Sequence, residues 1–347
     1  MQMVSFSLRH LQQKQKRGAA LPILIHRKKR IRTDNTFAKF LIKRRVLLAS
    51  LCFFLVILWL QTFLHIVHST TATATTATRG ELDAIVTVAM CGFRADDMVR
   101  ALRTNGQWKG PIYVITDTPP EKDPKDYTVL NVKGHHPKFV SQGEFDEYVK
   151  GIHTFKSEIY SKWHKTQIFH LIPQQHNVHT ALFIDADMLA QLPLSQHWLS
   201  DLRPFIQNAN CHLTLYPERW YTHLPIIGKN DIALSGLYNS GMMILKRKES
   251  ALVLKHWGNL LVHPPWVGRD QGKLTQAVDH TQTQLCFLPN HFRHVQNEAD
   301  LIDRVWFGLF GKGTFLHISS AKKTRSKYMH WNDQLLQSCD YSGLEFQ

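Results

Sequence analysis

Acidic residues are scarce where this 347-residue chain begins. Residues 1–45 hold thirteen Lys or Arg against one acid, Asp34. Of the formal net charge of +15, +12 sits in that segment and only +3 is left for residues 46–347. A basic excess confined to a tail is not a folded surface shaped to grip a phosphate backbone, so no nucleic-acid partner is expected. Cysteine is sparse too: Cys52, Cys91, Cys211, Cys286 and Cys339 are all there are, and their spacings match no zinc site. No internal repeat is present, which excludes a repeat architecture. Residues 79–347 contain no Asn-x-Ser/Thr sequon, so N-glycosylation says nothing about compartment. A Gly-rich loop after the first apolar run is also missing. Residues 89–94 (Ala-Met-Cys-Gly-Phe-Arg) offer only Gly92 and Arg94, which counts against a phosphate cradle built on successive glycines.

One long apolar run is present. Val46–Leu60 is broken only by Ser50, and the apolar character continues past Gln61 and His65 to Val67. About 20 residues cross a bilayer core, and 46–67 supplies 22. Lys43-Arg44-Arg45 precede the run and almost no charge follows it, which predicts a cytosolic N-terminus. A cleaved signal peptide fits less well, because its basic region would be 45 residues long and no small-x-small cleavage site follows. A mitochondrial presequence is a weaker alternative, given the full-length span. Residues 69–78 are Ser, Thr and Ala only and read as a flexible stem, a candidate for O-glycosylation. Tail, span, stem and globular part together predict a single-pass type II protein of the Golgi or endoplasmic reticulum membrane, with the globular part in the lumen. Four cysteines would then lie in an oxidising space, where up to two disulfides or ordinary buried thiols fit equally.

From residue 81 short apolar runs alternate with helical stretches. Strands are expected at Ala84–Ala89, Pro111–Thr116, Ala181–Ile184, Met242–Leu245 and Thr314–Ile318. Helices are expected at Ala95–Thr104, Phe155–Leu171, around Glu249–Leu261 and at Gln271–Ala277. Residues 119–150, polar and rich in Pro, Lys and Glu, read as a loop or insertion. Strand, helix, strand with short connections predicts a parallel crossover, hence an α/β fold with a mostly parallel sheet flanked by helices. Ligands of such sheets sit beyond the carboxyl ends of the strands.

At one such end stand Asp185 and Asp187, with Ala186 between them. Residues i and i+2 of an extended chain share a face. Two like charges so placed repel unless a divalent cation lies between them. A hard cation held by carboxylates is also what a diphosphate substrate requires. Taken alone, the pair reads equally as two solvated aspartates in a turn.

Further signals follow in order. Lys165 lies in Lys162-Trp-His-Lys-Thr-Gln-Ile-Phe. Tyr238-Asn-Ser-Gly-Met-Met-Ile-Leu precedes Arg269-Asp-Gln-Gly-Lys-Leu. Phe315-Leu-His-Ile-Ser-Ser is followed by Lys322 and Lys323. This set resembles glycosyltransferase family 8, which includes glycogenin and lipopolysaccharide galactosyl- and glucosyltransferases, over residues 82–325. The resemblance implies an A-type glycosyltransferase fold over 81–330, with a short tail at 331–347. It also implies a nucleotide-sugar donor (usually a UDP-sugar), Mn²⁺ (or Mg²⁺), retention of configuration, and a glycan, protein or lipid acceptor. By position, Asp185, Asp187 and His317 correspond to metal ligands. Asp270 and Gln271 correspond to the pair facing the anomeric carbon. Val88, Ala89, Lys165, Ala186, Asn239, Ser240 and Lys323 correspond to donor contacts. The family's closing His-x-x-Gly-x-x-Lys-Pro-Trp reads His317-Ile-Ser-Ser-Ala-Lys-Lys-Thr-Arg here, so Ser320 replaces a glycine, the Pro-Trp is lost, and Lys322 competes with Lys323 for the diphosphate.

The chemistry asks for the same residue types. A nucleoside diphosphate leaves with growing negative charge, which a cation and a lysine stabilise. The sugar becomes oxocarbenium-like, which nearby oxygens steady. An amide is a poor nucleophile, so Gln271 is expected to position rather than attack. Asp270 is open to either a nucleophilic or a hydroxyl-binding role, and it also fits a helix N-terminus. His176, His179, His135 and His136 read as surface histidines, and Tyr328 and Trp331 as packing residues. Two other functions stay open: a metal-dependent sugar nucleotidyltransferase, and a non-catalytic membrane-anchored binding protein of the same fold.

Overall fold

The computed structural model describes residues 81–138, 141–143, 146, 156–194, 196–217, 238–263, 270–288, 294–297 and 301–318. The basic tail, the apolar run 46–67, the stem, Lys322, Lys323, Tyr328 and Trp331 lie outside them. No helix among the described residues is long and apolar enough to cross a membrane.

The strands are β1 (Ala84–Val88), β2 (Ile112–Thr116), β3 (Thr128–Asn131), β4 (Thr180–Ile184), β5 (Met188–Ala190), β6 (Leu213–Pro217), β7 (Tyr238–Lys246), β8 (Leu285–Phe287), β9 (Val295–Asn297) and β10 (Phe315–His317). Seven form one sheet in the order β3-β2-β1-β4-β7-β6-β8, and the other three a small sheet in the order β5-β10-β9. In the large sheet β7 runs antiparallel to both its neighbours, and the other described pairs are parallel. The protein is thus a mixed α/β structure around a mostly parallel sheet.

Helices cover both faces of that sheet. They are α1 (Asp96–Thr104), α2 (Lys156–Thr166), α3 (Ile168–Leu171), α4 (Gln196–Gln207), α5 (Ala251–Val262), α6 (Asp270–Thr281) and α7 (Leu301–Phe310). Alternate residues of β1 and β4 feed two cores. Val86, Val88, Ala181 and Phe183 pack on one face with Trp257 of α5 and Leu274 of α6. Ile85, Leu182 and Ile184 pack on the other with Met98 of α1 and Trp198 of α4. Burial on both faces is why these strands read as unbroken apolar runs.

Three expectations are corrected. The stretch 119–150 contains β3, parallel to β2. It is half-exposed at the sheet edge, so it carries no apolar run. The continuous helix at Phe155–Leu171 breaks at Gln167 between α2 and α3. There the Thr166 hydroxyl donates back to Trp163 O at 2.7 Å, a bond that competes with helix continuation. Finally, Asn239-Ser-Gly is no turn before a strand but the opening of β7 itself.

α5 approaches α2 closely at Gly258. A Cβ there would stand 2.7 Å from Thr166 Oγ1, so only glycine lets α5 support the helix that carries Lys165. Cys211 and Cys286 form a disulfide with Cα atoms 5.3 Å apart. It ties the start of β6 to β8, and it settles these two thiols as a bridge.

Candidate functional site

The Asp185-Ala-Asp segment is where the chain leaves one sheet for the other. β4 ends at Ile184, Met188 N donates to Asp185 O at 3.0 Å across a tight turn, and β5 begins at Met188. β5 pairs antiparallel with β10, which sets His317 opposite Met188, and Ile318 N donates to Asp187 O at 3.0 Å. The register therefore delivers the imidazole to the acidic turn: His317 Nε2 lies 3.4 Å from Asp187 Oδ1. Trp198 of α4 holds β10 from behind through an edge-on contact with Phe315, at 5.2 Å between ring centres. One ligating atom each from Asp185, Asp187 and His317 falls within 4.8 Å of the others.

On the other flank β4 meets the start of β7. Asp185 N donates to Gly241 O at 2.8 Å. A Cβ on Gly241 would stand 2.9 Å from Asp185 Oδ2 and 3.1 Å from Asn239 Oδ1, so glycine is what lets the acidic turn close on this strand. The β6–β7 register jumps here, from Leu215 opposite Met243 to Tyr216 opposite Asn239. Such an irregularity re-aims side chains next to sites. Ser240 lies inside it, buried, and its hydroxyl donates to Asp270 Oδ2 at 2.7 Å. Asn239 Oδ1 accepts from Gly241 N at 2.9 Å.

Asp270 is the first residue of α6, and Trp257 Nε1 of α5 donates to its carbonyl at 3.0 Å. Two lysines one helical turn apart on α2 converge on its carboxylate. Lys162 Nζ is 3.5 Å from Oδ1 and Lys165 Nζ is 3.5 Å from Oδ2. Lys165 also lies 2.8 Å from Asp185 Oδ1, and so links the acidic turn to α6. Gln271 follows Asp270, half-buried.

These charges set one another. Burial raises the Asp185 carboxyl, Lys165 opposes that, and the Asp187 charge raises it again, leaving Asp185 above the ordinary carboxylate value. Burial would also raise Asp270, but Lys162, Lys165 and the Ser240 hydroxyl outweigh it and hold that carboxyl well below its usual value. Burial would lower Lys165, yet Asp185 and Asp270 outweigh it and raise its ammonium. Asp270 is therefore a fixed anion, while Asp185 is a crowded carboxylate that a second cation would relieve.

The structure brings Lys165, Asp185, Ala186, Asp187, Asn239, Ser240, Asp270 and His317 to one end of the large sheet. Val88 and Ala89 lie at that same end of β1, but both side chains are buried in the cores, so backbone groups are what they can offer a ligand. Lys323 lies outside the described residues. Lys162 is an addition that the sequence reading misses. Its one signal was the spacing of three from Lys165, which puts both on one helix face. His176 and His179 are exposed and engage Tyr113 and Asn177.

No protein-family model matches the chain, and neither does any curated protein. Solved structures similar to it are glycosyltransferases. An active-site mutant of LgtC is 11% identical with a TM-score of 0.44, the match covering 69% of this chain and 88% of that one. Mouse xyloside xylosyltransferase 1 is 12% identical with a TM-score of 0.41, covering 70% and 98%. GlyE of Streptococcus pneumoniae TIGR4 is 11% identical with a TM-score of 0.44, covering 77% and 65%. At these values the likeness by itself says nothing of this chain's substrates.

Proposed function

We propose that this chain is a metal-dependent, retaining glycosyltransferase of the A-type fold, akin to family 8, that moves a sugar from a nucleotide-sugar donor, a UDP-sugar, to an acceptor hydroxyl. The observation that carries this reading is the convergence of Asp185, Asp187 and His317 within 4.8 Å at the turn between two sheets, beside the Lys165–Asp270 pair.

The donor set fits a cation. Two carboxylates with one imidazole suit Mn²⁺ better than Mg²⁺, which prefers oxygen alone. A divalent ion there supplies Lewis-acid stabilisation of the departing diphosphate. The chain's own residues do the rest. Asn239 and Ser240 at the β7 irregularity hold sugar hydroxyls. Asp270, kept anionic by Lys162 and Lys165, faces the anomeric carbon as it becomes electron-poor, and Gln271 positions the sugar. The anomeric carbon–oxygen bond breaks with its electron pair going to the diphosphate oxygen. The acceptor oxygen bonds to that carbon and gives up its proton. Backbone groups at Val88 and Ala89 meet the nucleoside, and Lys323 meets the diphosphate.

The same proposal places the chain in the Golgi or endoplasmic reticulum membrane, anchored by 46–67 with residues 81–330 in the lumen. The Cys211–Cys286 disulfide supports this, since such bonds persist in oxidising compartments. The test is Mn²⁺-dependent release of UDP from a panel of UDP-sugars by the full-length protein in detergent. Release by wild type and its loss in the Asp185→Asn/Asp187→Asn double mutant are expected. Equal release by both would refute the assignment.

A further inference from the structure

The sheet order lays out the two halves of a transfer site. β1 lies on one side of the acidic turn that ends β4, and β7, β6 and β8 lie on the other. On the reading proposed above, the nucleoside fills the β1 side. An acceptor then has to reach the anomeric carbon from the β7–β6–β8 side.

Two aromatic rings stand there. Tyr238 opens β7 and Phe287 closes β8, with ring centroids 6.0 Å apart and planes inclined by 33°. Both face the side of the sheet that α6 covers. Tyr238 packs against the core that holds Phe183, Trp257 and Leu274. Phe287 pairs with Leu215, which belongs to that same core, and directly paired residues share a face. Tyr238 precedes Ser240 by two residues, roughly 7 Å along an extended chain, about the length of a single hexose. The aromatic pair thus begins one sugar ring away from the Ser240–Asp270 hydrogen bond. Phe287 keeps 45% of its surface exposed, an unusual state for a large apolar side chain supported by another ring. Asp279 of α6 lies near enough for its charge to act on the Tyr238 hydroxyl, alongside the effect of burial.

An open aromatic face with a hydroxyl and a carboxylate at its rim matches a pyranose, which has an apolar C–H face and a polar edge. A lipid tail would need a continuous apolar channel instead. We propose that Tyr238 and Phe287 form an acceptor subsite that stacks a pyranose ring, so that the acceptor is a glycan.

The test uses full-length protein in detergent and saturation-transfer NMR. The probes are methyl glucoside, galactoside, mannoside, xyloside and N-acetylglucosaminide, with farnesyl phosphate and a Ser/Thr-rich peptide as rival probes. At least one pyranoside should receive saturation from wild type. Its affinity should fall roughly tenfold in Phe287→Ala, as for an aromatic anchor, and survive in Phe287→Trp. In turnover, the loss in Phe287→Ala should fall on the acceptor KM more than on the donor KM. Saturation of no pyranoside, equal saturation in wild type and Phe287→Ala, or Phe287-dependent binding of the prenyl phosphate or peptide alone would overturn the subsite. Phe287-dependent sugar binding without any donor turnover would leave the subsite standing and refute the glycosyltransferase reading. Mn²⁺-dependent UDP release with an acceptor KM unmoved by Phe287→Ala would do the reverse.

Discussion

The Lys165 ammonium lies 2.8 Å from Asp185 Oδ1, and the Lys165 side chain is only 8% exposed. This contact joins helix α2 to the acidic turn, and through Asp270 to helix α6. Replacing Lys165 with Met leaves Asp185 and Asp270 without a shared cation in a buried setting, which costs about 3 kcal/mol of stability. Transferase activity should fall at least a hundredfold, while Mn²⁺ affinity should not weaken, because the carboxylates lose a competing positive charge. Thermal melts with and without Mn²⁺ check both. Weaker Mn²⁺ binding in Lys165→Met would show that the lysine builds the metal site rather than sharing its ligand.

Gly241 separates two functions that are easily confused. An alanine Cβ at this position would press on Asp185 Oδ2 and Asn239 Oδ1. Mn²⁺ affinity should fall about tenfold, as for a disturbed ligand orientation, with little change in melting temperature. Isothermal titration of Gly241→Ala beside wild type reads this directly, and unchanged affinity would mean the acidic turn relaxes freely.

The two buried aspartates respond to pH in opposite senses. Asp270 is held well below its usual value. Its contribution is therefore complete above the unfolded-state value, about pH 4, and is lost as pH falls further toward its folded-state value. Wild type should exceed Asp270→Asn in melting temperature at pH 7, and the gap should close below pH 4. Asp185 is raised, so the folded metal-free chain binds more protons there than the unfolded chain and loses stability as pH rises. Added Mn²⁺ should accordingly raise the melting temperature more at pH 7 than at pH 5. A larger gain at pH 5 would contradict the charge balance described for the site.

The Cys211–Cys286 bridge closes a separation of 75 residues. Its loss in Cys286→Ser should cost about 3–4 kcal/mol, measured by chemical denaturation under non-reducing conditions. If the wild-type protein unfolds identically with and without reductant, the bond does not form, and an oxidising lumenal setting loses its support.

Much of this architecture was legible in the residues. β1 and β4 showed themselves because both faces are buried, so every position is apolar. β3 did not, because an edge strand with exposed ends looks like polar loop. β5, β8, β9 and β10 are three residues each, too short to show a period; β10 was nonetheless read, from the apolar residues around His317. The acidic pair was visible by spacing, and like-charge repulsion supplied the reason to suspect a cation. That His317 belongs beside Asp187 was not visible in spacing, since it depends on β10 pairing with β5. It entered through resemblance, and the register supplies the physical cause. β7 begins four residues before the expected Met242 because its polar opening, Asn239-Ser-Gly, is bent toward α6 instead of lying flat in the ladder. The Tyr238–Phe287 pair joins strands 39 residues or more apart in sequence, and no local pattern announces it.

The most direct test is Mn²⁺ binding to the full-length protein, followed by electron paramagnetic resonance of the free ion as protein is titrated. Wild type should take up one ion. Asp185→Asn/Asp187→Asn should take up none, and His317→Ala should bind about ten- to a hundredfold more weakly. Uptake of one ion with equal affinity by all three proteins would contradict the claim that these side chains hold the cation.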